Sequence, residues 1–316
     1  MENEQEVNYL SIMSLVNALP ASVAQGIIWG IMAIGVYITF KILDFADLTV
    51  DGSLTLGGAV TVMLIINGVS PIIALIAATI AGLLAGVITG ILNTVLGIPD
   101  ILAGILTQIA LYSSNMMIMG GRANQAVSVD KYNLIVSLRH IGMSMAVGVG
   151  FLVVLIAVLY WFFGTELGYT IRATGTNPNM SRAQGINTEV AKVIALGLSN
   201  ALVGLSGGLI AQYQGASDVN MGRGAIVIGL AAVIIGEVLG DAFFGKYMNF
   251  ALRLFFAALG AVVYYFVITF VLWLGLPSYN LKLISAIVVA IFLAVPYLMG
   301  KSKSSFKAAA KKGAQE

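Results

Sequence analysis

Apolar residues run through this chain in long blocks, at residues 20–40, 53–66, 71–96, 98–119, 141–163, 190–213, 224–240, 248–274 and 281–299, with short polar connections between them. Blocks of about 20 apolar residues cross a bilayer as helices. The ~10-residue alternation of an outer-membrane barrel is absent. The pattern predicts an all-α polytopic bundle of about nine spans (roughly eight to ten), with residues 1–300 as one transmembrane domain and 301–316 as a basic tail. Two blocks are short. The one at 53–66 follows Lys41-Ile-Leu-Asp-Phe-Ala-Asp-Leu-Thr-Val-Asp51, which carries three carboxylates, and the one at 224–240 contains Glu237. Short, Gly-interrupted segments in both halves read either as broken helices beside a solute path or as ordinary helices shortened by mismatch with the bilayer. Their similar placement in the two halves hints at an internal duplication.

Composition narrows the classes. Charged residues make up 9% of the chain and apolar ones 59%, against about 25% charged in soluble domains, so a soluble enzyme is excluded. A net charge of +2, spread along the chain, leaves no nucleic-acid footprint. There is no cysteine for a thiolate site, and one histidine, His140, cannot build a His-based zinc site alone. No nucleophile–base set for a membrane-embedded enzyme stands out. The first nine residues hold three Glu and no Lys or Arg, unlike a signal peptide, so the first apolar run is expected to stay in the membrane.

Charge also sets an expected orientation. With the tail lysines in the cytoplasm, ten Lys and Arg fall inside and five outside, with Arg253 within a span. That split follows the positive-inside rule, placing the acidic N-terminus outside and the C-terminus in the cytoplasm. The tail then meets anionic lipid.

Two connections are long, residues 120–140 outside and 164–189 in the cytoplasm. In the second, Asn177 followed by Pro178 reads as an N-cap with proline at the first helical position. A helix of about two turns is expected from Pro178 to Gln184, stopped by Gly185. Spacing alone leaves open whether it docks a partner or closes a loop. Within spans, Gln108, Tyr112 and Asn115 share one helical face, and Asn200 and Gln212 share another with Gly204 and Gly208. Such faces either line a path without fixed charge or glue helices together. Glu237 has no basic partner in its own span. It sits near the cytoplasmic gate, is protonated, or pairs with Arg253. Glycines four apart (Gly26/Gly30, Gly82/Gly86/Gly90, Gly204/Gly208, Gly236/Gly240) form grooves for close helix approach, within the chain or between two copies.

The segment Gly168-Tyr-Thr-Ile-Arg-Ala-Thr-Gly-Thr-Asn-Pro-Asn-Met-Ser-Arg-Ala-Gln-Gly-Ile-Asn187 resembles the coupling-helix segment of ABC-importer permeases of the branched-chain amino acid and ribose type. Ile42-Leu-Asp-Phe-Ala-Asp47 leading into Leu54-Thr-Leu-Gly-Gly-Ala59, Ile98 to Thr107, and the Gly-rich stretch from Gly207 to Gly236 are similar to other pieces of that family, in order. Residues 101–121 resemble the subgroup labelled tryptophan- and tyrosine-type permeases. Asp47, Asp51 and Glu237 depart from the family pattern.

The resemblance implies a non-catalytic transport subunit of a bacterial-type plasma membrane, working as a homodimer with two ATPase subunits and an extracellular solute-binding protein. It implies ATPase coupling through Asn177, Pro178, Asn179, Met180, Ser181, Arg182, Ala183, Gln184 and Gly185, within the segment 168–189. ATP and Mg would sit on the partner, because Gly300-Lys301-Ser302 lacks the upstream glycine of a phosphate-binding loop, Val295 standing there. The neutral polar faces suit a small polar solute such as an amino acid, an aromatic one included. A nucleoside or sugar is the alternative solute. A proton-coupled secondary transporter using Glu237 is the alternative machine. The outer loops, with Arg122, Lys131, Arg139 and Arg223, offer charge for docking a binding protein.

Overall fold

The computed structural model describes residues 12–129 and 131–274, with 283, 285–292 and 294. Among them, eight helices are long and apolar enough to cross a membrane. About half of the ninth expected run, 281–299, lies outside the described residues, and 285–292 are helical. The fold is an all-α bundle. Its long helices are α1 (Ile12–Tyr37), α2 (Thr49–Ile66), α3 (Pro71–Thr94), α4 (Asp100–Ile118), α5 (Ile141–Phe162), α8 (Thr188–Gln214), α9 (Ala225–Phe243) and α10 (Phe250–Trp273). Two short helices, α6 (Glu166–Thr176) and α7 (Pro178–Ala183), lie between α5 and α8. Two three-residue strands, β1 (Asn124–Ala126) and β2 (Ala216–Asp218), pair antiparallel at the opposite end of the bundle. We call these the α7 end and the ribbon end.

The helices divide by what surrounds them. α1 and α8 are buried along most of their length, and α2 nearly so, whereas α5 is covered by protein on only a thin stripe. The outward residues of α3 and α5, such as Ile76, Ile80, Val153 and Val154, are as apolar as the core, which is how a helix facing hydrocarbon differs from a surface helix in water.

Small residues set the inner packing. A Cβ on Gly57 would lie 2.0 Å from the Gly204 carbonyl oxygen, and one on Gly82 2.2 Å from that of Asn200. Gly86 and Gly90 continue the same seam of α3 along α8. On the other side, Gly236 of α9 meets Phe256 of α10, and Gly26 of α1 meets Val262 of α10. The glycine stripes therefore serve packing within the chain. Association of apolar helices in lipid depends on such close backbone contact.

α1 does not end cleanly. It passes into a π-helical turn, Ile38–Ile42, closed by Leu43 N–H to Ile38 O at 3.0 Å. Residues 43–48 then run without helix, and Asp44 takes a positive φ of 56°. This stretch is not on the surface. Asp47 and Phe45 are buried, and Asp47 meets Asn200, roughly 18 Å along α8 at 1.5 Å per residue. Non-helical backbone survives at that depth only against protein or water.

The segment before α8 differs in part from the expectation. The Pro178 helix forms, one residue shorter than expected. The chain before it is also helical, which the spacing reading missed. Thr165 caps α6 by accepting the Gly168 N–H at 3.4 Å, and Ile171 and Thr174 face inward.

Candidate functional site

The two short helices begin against each other. α2 starts from the α7 end and α9 from the ribbon end, yet Asp51 in the first turn of α2 accepts N–H bonds from Gly224 and Ile226 at the start of α9, both at 2.9 Å. Thr55 Oγ1, one turn on, accepts the Gly222 N–H at 3.1 Å. Both helices must therefore begin inside the bundle. A carboxylate suits this place, because the first N–H groups of a helix are unpaired and carry the positive end of its dipole. Asp51 thus caps α9 from a distant part of the chain.

A cavity of about 340 Å³ opens at this junction, lined by Asp51, Gly52 and Thr55 of α2, Gln108, Tyr112, Ser113 and Asn115 of α4, and Val219 and Arg223 of the connection into α9. The polar face expected on α4, Gln108–Tyr112–Asn115, lies together on its wall. The Arg223 guanidinium stands 6.0 Å from the Tyr112 ring centroid, within cation–π range. Asn115 donates to the Gly52 carbonyl at 3.3 Å, while its amide oxygen is buried with no partner. The cavity thus combines a cation, a carboxylate, an aromatic face and amide groups, a set able to hold a small zwitterion. Asp51 and Arg223 were not singled out from the sequence as path residues. Aspartate in an apolar run was the available signal.

The other expected path residues lie elsewhere. Asn200 donates to Asp47 at 2.7 Å, and the Thr49, Thr89 and Thr107 hydroxyls form a chain beside them, 2.7 and 2.9 Å apart, tying the 43–48 stretch to α3, α4 and α8. Gln212 accepts the Ile135 N–H at 3.0 Å and holds the outer connection against α8. Neither lines the cavity. Glu237 pairs with Lys41 of the π turn at 2.7 Å, a partner from the first helix rather than Arg253.

At the α7 end, Asn177 Oδ1 accepts the Met180 N–H at 3.0 Å, with Pro178 at the first helical position. Gly185, at φ 80°, ends the turn. Ser181 is buried and bonds back to the Asn177 carbonyl. Arg182 Nε donates to Thr188 Oγ1 at 2.9 Å, fixing the segment to the start of α8. Asn177, Pro178, Asn179, Met180, Arg182, Ala183, Gln184 and Gly185 are exposed, so a short helix held at both ends presents an open face.

Residues 19–296 match the family described as "Branched-chain amino acid transport system / permease component". A protein of Clostridioides difficile (strain R20291) named "Tyrosine transport system permease protein" is 41% identical over 270 residues, covering 85% of this chain and 88% of that one. An uncharacterized protein of Rickettsia prowazekii (strain Madrid E) is 34% identical over 281 residues, covering 88% and 97%. Among solved structures, a chain of PsaBC from Streptococcus pneumoniae in complex with Fab aligns at TM-score 0.35 and 16% identity, over 82% of this chain and 95% of that one, and adds nothing to the argument. The chain belongs to the branched-chain amino acid permease family and is a multi-pass membrane permease component of an ABC-type transport system.

Proposed function

We propose that this permease forms the path of an ABC importer for an amino acid, an aromatic one first among them, and that it does so as a pair of identical chains. The cavity at the α2–α9 junction carries this reading. Arg223 offers a partner for the solute carboxylate, Asp51 and the unpartnered Asn115 oxygen accept from its ammonium group, and Tyr112 provides a ring face. A sugar or nucleoside has no use for both charges. The name of the Clostridioides difficile relative points to the same class of solute.

The second copy follows from where the cavity opens. Tyr112, Ser113 and Ile109 lie on the exposed side of α4. Charged groups on a wall facing hydrocarbon are costly, so a second α4 face covers this opening and the path runs between the copies. The α7 end lies in the cytoplasm, as the positive-inside count supports, and the exposed face of Asn177–Gly185 receives a separate ATPase subunit that holds ATP and Mg. The ribbon end faces outward and meets a solute-binding protein. The stroke of the ATPase then alternates access to the cavity.

The pairing of Glu237 with Lys41 weighs against the proton-driven alternative, because the carboxylate is already engaged by a cation of the π turn. The test is uptake into proteoliposomes carrying permease, ATPase and binding protein, with labelled tyrosine, leucine, adenosine and ribose in parallel. ATP-dependent accumulation of tyrosine above the others is expected. Uptake by the permease alone under a pH gradient would overturn the reading.

A further inference from the structure

We propose that the Lys41–Glu237 ion pair is the latch that carries movement of the α7 segment into α9 and so to the solute cavity. The inference rests on the assignment of α7 as the ATPase-docking helix and adds the route by which its movement travels.

The route is continuous in named contacts. α7 and α6 share Asn177, the C-cap of α6 and N-cap of α7. Two residues earlier, Gly175 lies so close to the π turn that a Cβ there would stand 1.9 Å from the Ile42 carbonyl oxygen. One turn earlier on α6, the Arg172 guanidinium stacks 4.3 Å from the Phe250 ring centroid at the start of α10, with Phe163 and Tyr169 also in cation–π range. A shift of α6 therefore presses on Ile42 and on Phe250 together.

Lys41 is the residue before Ile42. Its ammonium, 5.7 Å from the Phe40 ring centroid, reaches Glu237 at 2.7 Å. Glu237 lies on α9, about 18 Å along the helix from Ala225 at 1.5 Å per residue. The far end of α9 carries the Asp51 cap and Arg223 at the cavity wall. A helix of this kind moves as a rod, so displacement at Glu237 is felt at Arg223.

The π turn is the yielding part. Its i→i+5 hydrogen bonds are rare and occur where a helix is adjusted for function, and the Asp44 φ of 56° just beyond it lies in a region that non-glycine residues seldom adopt. The pair itself is partly exposed, 36% for Lys41 and 25% for Glu237, so it contributes little to stability. A weak bond joining two elements that move against each other is suited to opening and closing each cycle.

The test uses the complete transporter in proteoliposomes. Lys41→Glu and Glu237→Lys are each expected to lower ATP-dependent uptake roughly tenfold, within the range of coupling between sites, while ATP hydrolysis and ATPase pull-down persist. The charge-swapped double variant is expected to recover most of the uptake. The chain has no cysteine, so Lys41→Cys with Glu237→Cys also gives a clean background for a reducible thiol cross-linker. Cross-linking is expected to stop uptake, and reduction to restore it. Single variants that keep full coupled uptake, or a cross-link without effect, would overturn the latch. Loss of ATPase pull-down in the Lys41 and Glu237 variants would also overturn it. Pull-down surviving disruption of α7 itself would instead overturn the docking assignment.

Discussion

Asp51 and Gly224 are 173 residues apart in sequence and joined by a hydrogen bond of 2.9 Å, so the start of α2 caps the start of α9. With Ile226 on the other carboxylate oxygen, one side chain fixes the angle at which the second short helix leaves the junction. Replacing Asp51 by Ala removes the cap, a loss of about 0.5–2 kcal/mol for N-caps in general, and frees the segment that carries Arg223. Uptake is expected to fall by more than the stability loss explains, because the cavity wall moves as well. Asp51→Asn keeps an acceptor for the backbone and should keep the fold, as read by thermal melting in detergent, while losing uptake through the missing charge.

Tyr112 and Arg223 face each other across the cavity, and the two roles can be separated. Arg223→Gln removes the charge and should raise the solute concentration needed for half-maximal uptake for every amino acid alike. Tyr112→Leu keeps bulk and removes the ring face, so it should weaken aromatic solutes relative to leucine. The contribution of such a ring contact is about 0.5–1.5 kcal/mol, or a few-fold to roughly tenfold in preference. An equal loss for tyrosine and leucine in Tyr112→Leu would place the ring outside the solute site.

What was legible in the chain, and what was not, follows the range of the interactions. The spans were legible because lipid demands unbroken apolar runs, a requirement written residue by residue. The α7 helix was legible because Asn177, Pro178 and Gly185 act within a few residues of themselves. α6 was missed although Thr165-Glu166 is a local cap signal; its eleven residues carry Gly168 and Gly175, which read as loop until their close packing against Phe163 and Ile42 is seen. The partners that join Asp47, Asp51 and Glu237 to other helices lie 150 or more residues away in sequence, beyond any local pattern. Asn200 had the right chemistry and the wrong neighbour: its helical face turns toward α3 and Asp47 rather than toward the cavity.

The glycine seam gives a stability test with an internal control. A methyl group on Gly57 would stand 2.0 Å from the Gly204 carbonyl oxygen, which is backbone and cannot swing aside. Gly57→Ala should force α2 and α8 apart, at a cost of about 1–3 kcal/mol or more for overpacking. Gly150 on α5 has nothing within 4 Å of such a methyl. Gly150→Ala should leave the melting midpoint unchanged or slightly raised, since alanine favours the helix. Equal behaviour of the two variants would contradict the packing described for α2 and α8.

The α7 segment allows the ATPase-docking assignment to be tested without touching the bundle. Arg182 ties the segment to Thr188 and Gly185 turns the chain at φ 80°, a conformation that leucine adopts only with strain. Arg182→Glu with Gly185→Leu therefore breaks the fixed end of the helix, while the contacts of the eight long helices with one another stay intact. The expected result is a permease that purifies as a folded particle with an unchanged melting midpoint and no longer retains its ATPase. Asn177→Ala is the graded version. It removes one cap hydrogen bond, worth about 1 kcal/mol, and should weaken retention of the ATPase several-fold rather than abolish it, because Pro178 still favours the first helical turn. The order Asn177→Ala milder than the double variant is what a docking helix requires, since affinity then tracks how well the helix is held before contact. A loop that only connects α5 to α8 would show no such order, and both variants would retain the ATPase.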